Sequence, residues 1–285
     1  MPQRCTPSSQ KPLLAAAAAV AAGLIAAFAP ASGWWPPPPP IPELVEVPAG
    51  SFRYRAAGEF WQAGQLRAAP VATVHIARPL LVMRHQVTGA DYQRCVAAKA
   101  CLPLDADADH PDRPIVKVSW RDAEAYAAWL SRATGLNFRL PSDQEWAYAA
   151  GSRFRDDGAA LPPPADPGRR ALALYDKDAS RDDGLGKAVE PIGSFGANEH
   201  GLLDLAGNVW EWTSSCFQRT NLDAPPQSVA NCGVRVVEGR HRGYLPDFIR
   251  DARAGGCSVG TPPSNIGFRL LREAEPGRAR PTPLA

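Results

Sequence analysis

The apolar positions of this chain change period several times, and each change marks an element. Leu13–Ala29 is an almost unbroken apolar run. Glu43–Phe52 and Thr73–Met83 carry alternating or continuous apolar residues, which predicts two strands. Gly89–Ala98 predicts a helix leading into Cys95 and Cys101. Ser119 is a helix-capping residue type, and Asp122 three positions on favours a helix N-terminus. Ala123, Tyr126, Ala127 and Leu130 then share one helical face, and Gly135 ends the helix. Ser142 and Glu145 have capping-box spacing, with Trp146 and Ala149 pointing inward from a further helix. Ser152–Ala173 is polar and proline-rich without a period and predicts a surface loop. Ala274–Ala285 predicts a frayed tail.

The N-terminus bears on the compartment. Arg4 and Lys11 precede the apolar run, and Ala29-Pro30-Ala31 follows it as a small-residue cleavage site. This predicts a cleaved signal peptide over residues 1–31 and a periplasmic or secreted protein. An uncleaved anchor is the alternative, but a run of about seventeen residues is at the short edge for a bilayer. No later stretch is apolar enough to span, so no stable membrane insertion is expected after cleavage. A proline-rich linker over 32–43 leads to one domain over 44–273, with 274–285 as the tail.

The 285 residues include 30 prolines and 24 glycines, which predicts a loop-rich α+β domain. A formal net charge of +2 with both signs interspersed does not imply nucleic acid as a partner. Export permits disulfides. A bridge between Cys95 and Cys101 would close a short loop, and one between Cys216 and Cys232 would staple the polar surface loop between them. Cys257 is the odd cysteine.

Gly201–Thr213, GLLDLAGNVWEWT, concentrates the candidate chemistry. Asp204 and Glu211 are hard-oxygen ligands, and Gly207 lets the backbone turn so that carbonyls can join them, as in a calcium loop. A tight turn with buried Trp210 and Trp212 and no ion reads the same residues equally well.

GNVWEW resembles the signature of the formylglycine-generating enzyme, or sulfatase-modifying factor, superfamily. LVEVPAGSF at Leu44–Phe52, RPIVKVSWRDAEAYAAWL at Arg113–Leu130, RLPSDQEWAYAA at Arg139–Ala150 and NIGFRLLR at Asn265–Arg272 resemble further segments of it in the same order. The resemblance implies a single loop-rich domain of the sulfatase-modifying-factor fold with C-type-lectin-like elements. It implies Ca2+ held by Asp204, Gly207, Val209 and Glu211, with side chains from the two acids and carbonyls from the others. It also implies a second calcium site in YDKDASRDDGL, using Asp176 and Asp183 with the carbonyls of Lys177 and Leu185.

Catalysis is where the chain departs from the family. Formylglycine-generating enzymes use two cysteines five apart that bind copper, between the tryptophan loop and the closing strand. Arg235–Gly256 holds no cysteine, and the best alignment puts Tyr244 and Ile249 at the two places. Neither replaces a thiolate for monovalent copper. The related sulfoxide synthases hold iron through three histidines, but His75, His85, His110, His200 and His241 show no such spacing. Exported members tied to siderophore maturation or to nitrite reductase are closest in layout. A site in this chain would fall on His241, Tyr244 and Arg250, with Asp247 and Trp210 nearby and Cu or Fe as its metal. Two functions follow: an oxidative maturation factor acting on a protein or peptide-derived substrate, or a non-catalytic calcium-stabilised accessory module for a periplasmic partner.

Overall fold

Proline punctuates the observed strands. In the computed structural model, which describes residues 38–104, 110–155, 188–250 and 265–274, each expected N-terminal strand is two. Glu43–Phe52 resolves into β1 (Leu44–Val47) and β2 (Gly50–Arg55), parted at Pro48. Thr73–Met83 resolves into β5 (Val71–Ile76) and β6 (Leu80–Met83), parted at Pro79. Proline has no N–H to give to a ladder, so pairing changes partner there. β2 pairs with β5, whereas β1 pairs with β6 in a different sheet. Between them lie β3 (Glu59–Gln62) and β4 (Gln65–Arg67).

Among the described residues three α-helices start at capping residues, two of them at the predicted Ser119 and Ser142. α1 (Gly89–Ala97), α2 (Trp120–Thr134) and α3 (Asp143–Ala150) each carry a complete capping box, made by Thr88 and Asp91, Ser119 and Asp122, and Ser142 and Glu145. Gly135 closes α2 in the left-handed conformation, at φ 70°. The predicted inner face of α2 is buried, with Tyr126 packed on Trp129 and edge-on to Phe268.

Two main sheets position everything else. The first runs β1-β6-β12-β7, with β7 at Phe138–Arg139 and β12 at Leu271–Arg272. The second runs β10-β9-β8-β3-β4, with β8 at Trp210–Asn221, β9 at Gln227–Glu238 and β10 at Gly243–Pro246. β11 (Ile266–Gly267) pairs parallel to β8 at Trp210 and Glu211. The polar stretch after Cys216, expected as a loop, is instead the outer half of the β8–β9 ladder. Its exposed positions hide the strand period from the sequence. Cys216 and Cys232 join those strands, and Cys95 and Cys101 are also bridged, as in proteins of oxidising compartments. The architecture is the expected loop-rich α+β fold.

The expected signal peptide, the Tyr175–Leu185 acidic stretch and Cys257 lie outside the described residues. Among the described residues no helix is long and apolar enough to cross a membrane.

Candidate functional site

The tryptophan loop is wound tightly enough that its acids face inward. Asp204, Ala206 and Asn208 adopt left-handed backbone, at φ 60°, 55° and 58°. The short polar side chains tolerate this conformation better than Ala206 does. The carboxylate of Asp204 accepts from the backbone N–H groups of Gly193 and Phe195, at 2.6 and 2.8 Å. Asn208 exchanges two hydrogen bonds with the Glu190 backbone. Gly207 is required because a Cβ there would sit 2.7 Å from the ring of Phe195. The loop is thus laced to the 190–196 turn by side chains and by close approach.

Glu211 is fully buried and accepts four hydrogen bonds. Its Oε1 takes Gln86 Nε2 and Arg269 Nη2, both at 2.8 Å. Its Oε2 takes Trp146 Nε1 at 2.9 Å and Arg269 Nε at 2.7 Å. Arg269 is just as buried, and its remaining donors reach the carbonyls of Met83, Arg84 and Leu203. These contacts bear on the expected calcium ligands. The four lone-pair positions of Glu211 are taken, and a guanidinium holds the place next to it. Both oxygens of Asp204 already serve the 190–196 turn. Gln86 Oε1 beside them is buried without a partner. In this arrangement both expected carboxylate ligands, Asp204 and Glu211, are committed to donors of the protein itself. Among the described residues no group of three His, Cys, Asp or Glu side chains is placed to hold a metal.

The residues proposed for catalysis serve three different places. His241 is buried with its ring edge-on to Trp210, centroids 5.1 Å apart, and its Nδ1 is 3.1 Å from the Arg242 carbonyl. Trp210 Nε1 donates to the His241 carbonyl, and a Cβ on Gly239 would strike the Trp210 ring at 2.7 Å. The hydroxyl of Tyr244 accepts the Gly58 N–H at 2.7 Å, and the ring meets Phe217 edge-on. Burial pushes the Tyr244 phenol up from its ordinary pKa against the opposing charge of Arg242. Arg250 forks onto Asp122 at the start of α2, at 2.7 and 2.8 Å. Asp247 pairs with Arg121. His241 and Trp210 touch each other, whereas Tyr244 and Arg250 contact Gly58 and Asp122.

Beside them lies a polar cluster that the sequence does not announce. Arg242 binds Glu238 at 2.8 Å and the Arg55 carbonyl at 3.1 Å, and lies over the ring of Tyr54. Tyr54 donates to Asp143, which also accepts the Ser215 hydroxyl at 2.7 Å. Burial is the main reason the Tyr54 phenol is held far above its ordinary pKa; Arg242 opposes it and Asp143 adds to it. Five segments contribute, so no local spacing marks the cluster. A tyrosine in the alternating β2 pattern, with an acid at a helix start, was the available hint. Chemically the cluster holds a neutral phenol and a closed ion pair, which makes it a seam joining β2, α3, β8 and β9.

Comparison with known proteins agrees with this architecture. The sulfatase-modifying factor enzyme 1-like domain matches residues 35–274. The formylglycine-generating enzyme of Streptomyces coelicolor is 31% identical over 201 residues, covering 66% of this chain and 60% of that protein. The Mycobacterium tuberculosis enzyme is 28% identical over 83% of this chain and 100% of its own length. The inactive C-alpha-formylglycine-generating enzyme 2 of Bos taurus is 37% identical over 54% of this chain and 53% of its own length. Among solved structures, PvdO from Pseudomonas aeruginosa superposes with a TM-score of 0.53 at 25% identity, covering 82% of this chain and 95% of that one. The chain therefore belongs to the sulfatase-modifying factor enzyme 1-like domain family.

Proposed function

We propose that this chain is an exported, non-catalytic member of its family that acts as an accessory module for a protein partner. The observation that carries this reading is the state of the two residues that the sequence alignment sets at the family's thiol positions. Tyr244 has its phenol buried and bound to the Gly58 N–H, and Ile249 has no ligating atom. Arg250, beside them, is committed to Asp122. A side chain locked by its own fold cannot turn to a substrate without breaking that contact. The similarity to an inactive mammalian relative supports the same reading. Export rests on the N-terminal run of residues 13–29 and on the two disulfides.

The competing reading is an oxidative maturation factor acting on a protein or peptide-derived substrate. It is tested by incubating the purified chain with copper, then separately with iron, and a cysteine-containing peptide under oxygen. Hydrazide capture reports any aldehyde formed from the thiol. The expected result is no aldehyde above the metal-only control. Aldehyde formed with either metal and lost in His241→Ala would overturn the non-catalytic assignment.

A further inference from the structure

A cleft of about 420 Å³ opens on the first sheet, where the β5–β6 connection meets the end of β12 and the start of α3. It shares no lining residue with the tryptophan loop or with the His241 region. Its volume is in the range of small-ligand sites. Ile76, Leu80, Leu81 and Leu271 supply an apolar wall.

Its charges are unevenly matched. Arg139 is committed, held by Glu145 at 2.7 Å and by Glu273 at 2.8 Å. Those pairs raise the Arg139 guanidinium further above its ordinary pKa, so it stays charged. Arg78 and Arg272 line the same cleft, and neither side chain has a hydrogen-bond or ion-pair partner among the described residues. The Nε of Arg272 is buried and unpartnered. A buried donor with no acceptor is unfavourable, so the Arg272 guanidinium is left under-satisfied by its own fold. Three guanidiniums against two carboxylates leave the lining one positive charge in excess. The Nδ1 of His75, which also lines the cleft, is engaged by Ser51 Oγ at 2.7 Å.

From this geometry we infer that the cleft is a binding site for a monoanionic carboxylate carried on a short apolar body. The carboxylate takes the place facing Arg272 and Arg78, because a guanidinium presents paired donors at carboxylate spacing. The apolar body lies on Leu80, Leu81 and Leu271. A single excess positive charge suits a carboxylate better than a dianionic phosphate. Two sources share this chemistry: a free alkyl carboxylic acid, and the C-terminus of a peptide ending in an apolar residue.

The test is calorimetric titration of the full chain with octanoate, with a leucine-ended peptide and its amidated form, and with inorganic phosphate. Saturable binding of octanoate or of the free peptide is expected, with Kd at or below about 1 mM. Whichever of the two binds more tightly identifies the source. Amidation should weaken the peptide at least tenfold, and phosphate should bind at least tenfold more weakly than the better carboxylate. Arg272→Gln should weaken binding at least tenfold. Arg78→Gln, at an exposed position, gives the same test should Arg272→Gln disturb the β12 ladder. Arg219→Gln, in the other sheet, should leave binding unchanged. The proposal is overturned if neither carboxylate binds saturably, if phosphate binds as well, or if Arg219→Gln matters as much as Arg78→Gln.

Discussion

A carboxylate that accepts four hydrogen bonds and a guanidinium that gives five leave little unmatched at the centre of the tryptophan loop. The attraction between Glu211 and Arg269 mainly offsets their own desolvation, so the pair is weakly stabilising as a pair. Breaking it is another matter, because the survivor is an uncompensated buried charge. Arg269→Met should lower unfolding free energy by about 3–5 kcal/mol in a urea titration. The double variant Arg269→Met with Glu211→Leu should lose less than the sum of the two single losses. Any change in melting temperature produced by a calcium chelator should be the same in wild type and in Glu211→Gln. A chelator response that vanishes in that variant would show that the loop holds an ion after all. The sequence displays Glu211 among oxygen ligands but not its partner, since 58 positions separate them. The readable signal was an arginine inside the apolar run NIGFRLL, which must find an acid if it is buried.

At the scale of elements, start signals were legible wherever they are local. All three capping boxes follow from residues three apart. The α2 box does more than cap, because Asp122 also receives Arg250 from the segment after β10. Burial works to raise the Asp122 pKa, but the hydrogen bonds from Arg250 and Ser119 outweigh it, and the result is a lowered value. A lowered folded pKa means stability that is present above the unfolded value and is lost as pH falls through the folded one. The unfolded value is near 3.9, so the loss should begin below about pH 4. Asp122→Asn should reduce stability at neutral pH and make the acid transition shallower, measured by urea midpoints across pH. An unchanged acid slope would mean the clasp contributes nothing in solution. The β8–β9 arms were not legible, since a strand exposed on both faces shows no apolar alternation. Their staple is the second disulfide, with 16 residues of sequence separation. Replacing both Cys216 and Cys232 by serine should lower stability by about 3 kcal/mol in the loop-entropy account, read from chemical denaturation.

The whole molecule is closed by its last short strands. β12 lies between β6 and β7, so residues 271–272 pair with chain laid down about 190 and about 130 residues earlier. β11 runs parallel to β8 at the pair Trp210 and Glu211, the same stretch that Arg269 enters from the side. Between these strands Phe268 packs into the α2 core, and its carbonyl accepts the Val87 N–H. Ten described residues therefore complete both main sheets, fill the aromatic core and neutralise Glu211. Contacts of such long sequence separation form only after much chain entropy has been lost, and the rest of the fold depends on them being made. A chain ended at Asn265 should show no cooperative thermal transition by circular dichroism, although its helices and capping boxes are intact in sequence. Removing Arg269 alone, as Arg269→Met in the full chain, should leave a cooperative transition at lower temperature. The two outcomes separate the strand contribution from the charge contribution. A truncated chain melting cooperatively near the full-length temperature would show that the first 265 residues contain a complete core.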